Sequence, residues 1–503
     1  MTHWPLLSLL IWLPILGGVF TLMAGNTRPQ LARWIALGFA LLTFVVSLPL
    51  LTDFQMGSAA MQFVEQRAWI PAYDIQYHLG VDGLSVPLIV LTTLVGALVL
   101  VGAWGSVSKR VAQYYASLMI LEGAMIGVFC ALDSMLFYVF FEAMLIPMFI
   151  VIGVWGGPRR IYASMKFFLY TFIGSVFMLI GLIYLYLKGG SWQIADMAAL
   201  PLSMTEQTWL FWGFFAAFAI KVPMFPVHTW LPDAHVEAPT GGSVVLAAIM
   251  LKIGGYGFLR FTLPIVPDAG HEFAWLMIAF SLIAIVYVGM VALVQADMKK
   301  LIAYSSVAHM GFVILGTFIA FALVRDQNLG DAARLGLQGA MVQMISHGFI
   351  SGAMFSCVGV LYDRMHTRMI KDYGGVAKVM PWFALFWVFF AMANCGLPGT
   401  SGFVGEFLVV LASFQQNPLI GLGAALTLII SAAYSLWLTK RIIWGEVGNA
   451  HVAEMQDINA REWIVLGVFA VFTLALGVYP KPLTDLMEPS IAQLAGQLAA
   501  TKL

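Results

Sequence analysis

Residues 211–260 decide how this chain folds, and they read FWGFFAAFAIKVPMFPVHTWLPDAHVEAPTGGSVVLAAIMLKIGGYGFLR. Most of the stretch is apolar enough for a lipid bilayer, yet Lys221 and Lys252 lie inside its apolar runs. A lysine at the centre of a membrane helix costs about 2.5–3.5 kcal/mol on insertion scales. Because Pro223 and Pro226 follow Lys221 and each removes a backbone donor, we expect the helix to break there. Broken backbone at membrane depth needs surrounding protein or a water-filled cavity, so this pattern predicts an ion pathway.

The composition predicts a membrane protein with many helices. Of 503 residues, 61% are hydrophobic and 10% are charged, and the mean hydropathy is +0.90. Soluble domains carry about 25% charged residues. A formal net charge of zero excludes a nucleic-acid binder that relies on a basic surface.

The sequence also argues against a cofactor site in this chain. Its three cysteines, Cys130, Cys357 and Cys395, lie in apolar runs without the spacing of a disulfide framework, zinc site or iron–sulfur site. No glycine-rich dinucleotide motif and no Walker-type loop occurs. We therefore expect neither a bound cofactor nor a nucleotide-driven motor here.

Apolar runs of about 20 residues, the length that spans a bilayer, predict an all-α polytopic protein with about fourteen transmembrane helices. The seventh and twelfth are interrupted. The predicted helices cover 5–23, 31–51, 82–104, 113–131, 134–154, 163–187, 208–238, 241–262, 273–295, 300–322, 335–361, 380–416, 418–439 and 462–479.

The distribution of positive charge predicts the orientation. Of the 25 lysines and arginines, sixteen fall in odd-numbered loops and five in even-numbered loops. Cytoplasmic loops carry the excess of Lys and Arg. We therefore expect the odd loops in the cytoplasm, and, since the helix count is even, both termini outside.

Two groups of five helices predict an internal inverted repeat. Helices 4–8 occupy 111–265 and helices 9–13 occupy 266–445, and the fourth helix of each group is broken. The breaks are KVPMFP at 221–226 and CGLPGTSG at 395–402. Because five is odd, the second group enters the membrane from the opposite side, as in many ion-coupled carriers.

The remaining segments are expected to be additions to this repeat. Residues 1–110 hold three helices and an outer loop at 53–79, for which we favour a structural role. Residues 446–503 hold the final helix and a C-terminal tail.

Three buried charges in the first repeat are candidates for proton transfer. Glu142, deep in helix 5, is interpreted as a proton carrier or counter-ion rather than a purely structural neutral carboxyl. Lys221 is its natural partner, and a lysine whose carboxylate can move away can release a proton; a static ion pair is the alternative. Lys252, near the middle of helix 8 beside three glycines, could pass protons between the halves. Snorkelling to the interface is the weaker reading for Lys252.

Four histidines are candidate relay groups, because imidazole titrates near neutral pH. His228 and His235 are seven residues apart and would share one face if the helix resumed after Pro226. For His235, a capping or partner-binding role is almost equally well supported. His309 and His347 lie on helices 10 and 11, and a buried structural histidine is the equal alternative for each.

Two more carboxylates complete the candidate set. Glu406 follows the second break, where glycines would let water reach it, and it is the candidate terminal carboxylate. For Glu122, on helix 4, a relay role and a buried hydrogen bond are equally supported.

Asp297, Lys299 and Lys300 begin helix 10, and we expect them in a solvated loop.

Three long segments resemble the antiporter-like subunits of respiratory complex I. They are HTWLPDAHVEAPTGGSVVLAAIMLKIGGYG at 228–257, ADMKKLIAYSSVAHMGF at 296–312 and GLPGTSGFVGEF at 396–407. The resemblance covers essentially the whole chain and is closest to the M branch, the counterpart of mitochondrial subunit four. Sister chains typically carry a lysine in the twelfth-helix motif, where this chain has Glu406.

The resemblance implies a proton-translocating subunit of an NADH:quinone oxidoreductase in the respiratory chain. NADH, FMN, iron–sulfur clusters and quinone would then belong to partner subunits, and sister antiporter-like chains would be neighbours in the bilayer. It implies that Glu142 and Lys221 form an input pair, that Lys252 and histidines link the halves, and that Glu406 leads to the outlet.

Other readings remain open at this point. A subunit of a Mrp-type cation/proton antiporter or of a membrane-bound hydrogenase would share the superfamily. A non-conducting structural spacer is disfavoured, because leucine would replace a buried lysine at lower cost. A bacterial inner membrane is the simplest location.

Overall fold

A computed structural model describes residues 4–503, which form a bundle of long helices. In chain order the helices longer than six residues are α1 Leu6–Ala24, α2 Pro29–Thr52, α3 Ser85–Gly102, α4 Val111–Cys130, α5 Ser134–Trp155, α6 Arg160–Gly189, α7a Met204–Lys221, α7b Trp230–Glu237, α8 Thr240–Ile265, α9 Ala274–Leu293, α10 Met298–Asp326, α11 Gly330–Met365, α12a Pro381–Asn394, α12b Ser401–Gln416, α13 Pro418–Ile443, α14 Ala460–Val478 and α15 Lys481–Ala499.

Twelve of these helices within residues 4–503 are long and apolar enough to cross a membrane, which confirms a multi-pass helical membrane protein. The two interrupted helices, α7 and α12, are not among the twelve because each half is short or less apolar. The count of fourteen crossings includes both interrupted helices and stays a prediction.

Both interruptions lie where prolines and glycines place them. Lys221 is the last residue of α7a, and residues 222–229 form turns before α7b begins. Residues 395–400 separate α12a from α12b, and Gly396 and Gly399 adopt positive φ angles of 74° and 90°. Glycine takes this conformation at no steric cost, which lets the chain turn sharply between the two halves of α12.

Three helices form the buried centre of the bundle. Over the most apolar window of each helix, all of α8 is buried and 94% of α10 and α11 is buried, compared with 22% of α14. The outer helices therefore present apolar side chains to lipid, while α8, α10 and α11 meet other helices on all sides. Lys252, His309 and His347 lie on these central helices.

Glycines let α8 approach its neighbours closely. A Cβ atom at Gly254 would lie 2.7 Å from the carbonyl oxygen of Phe218 on α7a. A Cβ atom at Gly255 would lie 2.7 Å from Sδ of Met344 on α11. The absence of side chains at these positions lets α8 pack closely against both α7a and α11.

The loop at 53–79 contains a β-hairpin that the helical pattern did not predict. Strands β1 (Gln62–Ile70) and β2 (Ile75–Val81) pair antiparallel around a turn in which Asp74 has a φ of 57°. The backbone amide of Leu7 on α1 donates to Glu65 Oε1 (2.7 Å), and the amide of Gln76 donates to Asp133 Oδ2 (3.0 Å). These contacts attach the hairpin to α1 and to the start of α5.

The C-terminal tail is also more ordered than predicted, since it forms α15. The backbone amide of Gly83 donates to Ser490 Oγ (3.1 Å), and Arg325 Nε donates to the carbonyl of Leu498 (2.7 Å). Helix α15 therefore packs over the start of α3 and the end of α10.

Candidate ion pathway

Four predicted residues form a nearly continuous polar chain between the two halves. Nζ of Lys252 lies 2.7 Å from Nδ1 of His347, and Nδ1 of His309 lies 2.7 Å from Oε1 of Glu406. The two imidazole ring centroids are 5.8 Å apart. None of the four side chains is more than 5% exposed. The structure therefore brings together a lysine, two histidines and a glutamate from α8, α11, α10 and α12b.

The local backbone of α8 positions Lys252. Residues Leu246–Met250, directly before it, form a π-helical turn, and Lys252 Nζ also donates to the carbonyl of Ala247 (2.5 Å). Single π-helical turns are frequent at functional sites, because the wider turn leaves backbone carbonyls without their usual helical partners. Lys252 Nζ is thus held by one carbonyl and one imidazole, and no carboxylate of residues 4–503 lies within 4 Å of it.

The gap between the two histidines is short enough for one water. His347 Nε2 is buried and has no protein partner within residues 4–503. A buried polar atom of this kind is usually satisfied by an ordered water. Such a water beside the tilted rings would complete the connection from Lys252 to Glu406.

Glu406 lies against the second break, as the sequence predicted. Gln343 Nε2 donates to Glu406 Oε1 (3.2 Å), and the Tyr434 hydroxyl lies 3.2 Å from His309 Nε2. A Cβ atom at Gly396, in the break, would lie 3.0 Å from Glu406 Oε2. The irregular backbone of α12 therefore passes directly beside this carboxylate.

Gln343 and Tyr434 were missed by the sequence analysis. Gln343 lies four residues before His347 on α11, so a search for polar side chains at helical spacing around each histidine would have found it. Tyr434 lies on α13, and its neighbours in sequence do not distinguish it from other buried tyrosines. Only the folded chain places its hydroxyl against His309.

Glu142 and Lys221 are near each other without direct contact. Lys221 Nζ is buried, lies 4.9 Å from the ring centroid of Phe141, and has no hydrogen-bond partner within residues 4–503. Glu142 is half-buried, and its Oε1 has no partner in the same part of the chain. The two charges are within electrostatic range but do not form an ion pair at 4 Å or less. The input role assigned to them stays a prediction.

The remaining candidates lie outside the hydrogen-bonded chain. His228 lies in the break, two residues before α7b begins, so it does not share a helical face with His235 as expected. His235 is fully buried on α7b and stacks on Phe355 with ring centroids 4.5 Å apart. Glu122 is buried against Gly96 of α3, and its Oε1 has no hydrogen-bond partner within residues 4–503.

The expectation of a solvated loop at the start of α10 is wrong for Lys299, which is only 5% exposed. Asp297 caps α10 by accepting from the amide of Lys299 (2.9 Å) and forms an ion pair with Arg368 (2.5 Å). Arg368 also pairs with Glu237 at the end of α7b (3.2 Å). Helix α10 is buried from its first turn, which carries Lys299 into the protein interior.

Outside the membrane helices, two acidic groups are held in their charged form. Burial alone would raise the pKa of Asp82, but the Arg260 guanidinium 2.7 Å away lowers it below its usual value. Burial likewise opposes ionisation of Asp268, yet hydrogen bonds from Gln207 and Arg325 and from a backbone amide lower its pKa to about 2. These contacts hold the C-terminal ends of α8, α10 and α15 in place.

A helical membrane bundle with two interrupted helices and a buried lysine–histidine–glutamate chain defines the class of antiporter-like, ion-translocating membrane proteins. Residues 131–431 match the family described as "NADH:quinone oxidoreductase/Mrp antiporter, TM". The chain belongs to this family, and within it to the subunit M branch, as two relatives show.

The first relative is NADH-quinone oxidoreductase subunit M of Rhodobacter capsulatus, with 50% identity over 506 residues that cover 97% of this chain and 96% of that protein. The second is NADH-ubiquinone oxidoreductase chain 4 of Arabidopsis thaliana, with 45% identity over 489 residues, 97% of this chain and 96% of that protein. The predicted family is confirmed, and the chain is a subunit of a multi-subunit membrane complex.

Solved structures show the same fold. The chain is similar to one chain of respiratory complex I from Thermus thermophilus with bound NADH, with a TM-score of 0.88 and 31% identity, covering 98% of this chain and 100% of that one. A chain of the Mrp complex from Dietzia sp. DQ12-45-1b shares the fold at a TM-score of 0.82 and 21% identity, covering 98% of this chain and 52% of that one.

The respiratory relatives do not favour the alternative classes raised by the sequence, since their 40–50% identity extends over nearly the whole chain. Within residues 4–503, no group of three or more His, Cys, Asp or Glu side chains is placed to hold a metal ion.

Proposed function

We propose that this subunit of an NADH:quinone oxidoreductase carries protons through the buried chain Lys252–His347–His309–Glu406. The observation that supports the proposal is the pair of 2.7 Å contacts at its two ends, each between residues more than 90 positions apart in sequence. Four ionisable groups rarely gather in a membrane interior without a role in ion movement, because each is costly to bury.

The chemistry of the four side chains suits stepwise transfer. The Lys252 ammonium group donates toward His347 Nδ1, which can accept a proton while the opposite ring nitrogen donates onward. His309 receives the proton from the His347 side and holds it against Glu406. The Glu406 carboxylate then accepts it beside the irregular backbone of α12, from which it leaves.

In this mechanism, Lys221 and Glu142 load the pathway. Lys221 lies at the end of α7a, and its Nζ is 4.9 Å and 5.8 Å from the ring centroids of Phe141 and Phe167. Moving a proton against 100 mV requires about 2.3 kcal/mol. A hydrogen bond to a charged group contributes about 1.5–3 kcal/mol. Making or breaking one hydrogen bond between Glu142 and Lys221 would therefore be enough to move one proton against 100 mV.

The energy that makes or breaks the contact between Glu142 and Lys221 comes from partner subunits. We place NADH, FMN, the iron–sulfur clusters and quinone in those subunits, and the sister antiporter-like chains beside this one. Residues 111–265 and 266–445 would then be two inverted half-channels that meet at Lys252 and His347. The Lys/Arg-rich side would face the cytoplasm of a bacterial inner membrane, with both termini outside.

The test uses the assembled complex in sealed inverted vesicles, following NADH oxidation and the proton gradient together. Lys252→Met removes the ammonium group with little change in size, and we expect both quinone-linked turnover and the gradient to collapse. His271→Gln, which changes a half-exposed histidine on the outer side, is the control and should behave as wild type. Normal pumping by Lys252→Met in fully assembled complex would contradict the proposal.

A further inference from the structure

We propose that Lys299 is a second proton-loading residue, which connects the Lys/Arg-rich face of the membrane to Lys252 without passing through Glu142 and Lys221. This inference rests on the proposed proton path, because it supplies that path with an additional entrance. Three observations support it: a cavity lined by charged side chains, the buried side chain of Lys299, and the buried His235 ring, whose nitrogens have no partner within residues 4–503.

The cavity opens between the loops of both halves. It has a volume of about 320 Å³ and is lined by charged side chains of α6, α7b, α10 and the loop after α11, among them Arg159, Asp233, Glu237, Asp297 and Arg368. One buried water needs about 10–15 Å³, so the cavity holds many. Water from the Lys/Arg-rich side therefore reaches Glu237 and Asp297.

A second cavity lies at the α7b–α8 junction. It has a volume of about 560 Å³, and its lining includes Pro239, Thr240 and Asp363. Glu237 lines the first cavity and Pro239 the second, and Ala238 joins these two residues in the chain. Lys299 Nζ donates to the carbonyl of Ala238 at 2.7 Å.

The hydrogen-bond acceptors around Lys299 Nζ suit both the charged and the neutral form of the side chain. Besides the Ala238 carbonyl, its Nζ reaches Ser243 Oγ at 3.4 Å, and no carboxylate lies within 4 Å of it in residues 4–503. A direct carboxylate would bind the charged form strongly, whereas a carbonyl and a hydroxyl accept from either an ammonium or an amine. Glu237 and Asp297 act on it only at longer range.

His235 is close enough to both Lys299 and Lys252 for each lysine to act on it electrostatically. The Ser243 hydroxyl that Lys299 approaches donates to the His235 carbonyl (3.0 Å). The His235 ring is fully buried, yet neither of its nitrogens has a partner within residues 4–503. A buried imidazole needs hydrogen-bonding groups on both nitrogens, so waters on its two sides would link Lys299 to Lys252.

A purely structural reading of Lys299 is that it caps the end of α7b and attaches α10 to α8. That role needs only a buried donor with a positive charge. Arginine provides both, but it does not release its proton in proteins. The variant Lys299→Arg therefore separates a cap from a proton carrier.

The experiment compares Lys299→Arg, Lys299→Gln and Lys378→Arg in assembled complex in sealed inverted vesicles. Lys378 is the matched control, because it is an exposed lysine that lines neither cavity. Each Lys299 variant closes one of two entrances while Glu142 and Lys221 still load the path, so we expect pumping and quinone-linked turnover to fall by about two-fold, while Lys378→Arg stays near wild type. NADH oxidation with an artificial acceptor measures the amount of assembled complex.

His235→Phe is a second, independent test in case arginine does not fit at position 299. Phenylalanine keeps the aromatic stack on Phe355 and removes both ring nitrogens, so we expect the same loss of pumping. Wild-type pumping by assembled Lys299→Arg or by assembled His235→Phe would overturn the proposed entrance.

The two proposals fail in different ways. If Lys252→Met pumps normally, the proton path itself is wrong. If Lys252→Met stops pumping while Lys299→Arg and His235→Phe pump as wild type, the path stands and only the entrance through Lys299 is wrong.

Discussion

Replacing Glu406 with glutamine removes one proton-accepting group and leaves the packing almost unchanged. The two side chains have the same length and shape, and the amide oxygen of glutamine can still accept from His309 Nδ1 and Gln343 Nε2, now 2.7 Å and 3.2 Å from Glu406 Oε1. What is lost is the negative charge and the ability to take up a proton. We therefore expect normal assembly with impaired transport.

The size of the effect follows from the hydrogen bond between His309 and Glu406. Hydrogen bonds to charged groups contribute about 1.5–3 kcal/mol, whereas neutral ones contribute about 0.5–1.5 kcal/mol. The contact between His309 and residue 406 would then be weaker by about 1.4 kcal/mol, which is about ten-fold in an equilibrium constant. Because glutamine also cannot carry the proton onward, we expect the rate of pumping to fall by about ten-fold or more.

The assay is NADH-driven acidification of sealed inverted vesicles, with oxidation by an artificial acceptor as the measure of assembled complex. Glu454→Gln, at an exposed position before α14, is the matched control and should pump as wild type. Glu406→Asp keeps the carboxyl group but withdraws it from His309, and we expect it to lie between Glu406→Gln and wild type. Full pumping by Glu406→Gln at normal assembly would refute the reasoning.

Three further predictions concern packing, the relay and acid sensitivity. Gly254→Ala would place a methyl carbon within 2.7 Å of backbone atoms, so we expect the folded protein to lose about 1–3 kcal/mol of stability. The Tm of the complex should fall, whereas Gly38→Ala, at a position with open space, should leave the Tm unchanged. Tyr434→Phe removes the hydroxyl 3.2 Å from His309, and we expect pumping to slow several-fold without loss of assembly; unchanged pumping would place Tyr434 outside the relay. Since the pKa of Asp268 falls from 3.8 to about 2 on folding, its stabilising effect is complete above pH 3.8 and is lost as the pH falls toward 2. Hydrogen-exchange protection of the C-terminal amides should decrease over that window in wild type, and little of that pH dependence should remain in Asp268→Asn.

The candidate residues were predictable because burying charge in a membrane is costly. Lys221, Lys252 and Glu406 stand out in apolar sequence, and prolines or glycines beside them predict broken helices. These signals are local, so they locate the interruptions at 221–226 and 395–402 and the residues next to them. Local signals do not report whether a charged side chain meets a partner or lipid.

The sequence by itself determined the class of the protein, its long apolar helices, its two interruptions and its set of buried ionisable residues, because each depends on local hydropathy and backbone chemistry. Only the tertiary structure decided which of those residues meet. Lys252 contacts a histidine 95 positions away, and Lys299 points inward to a carbonyl 61 positions away rather than into solvent. The physical reason is that hydrogen bonds between helices depend on how glycine-lined helices such as α8 pack, and no local pattern specifies that packing.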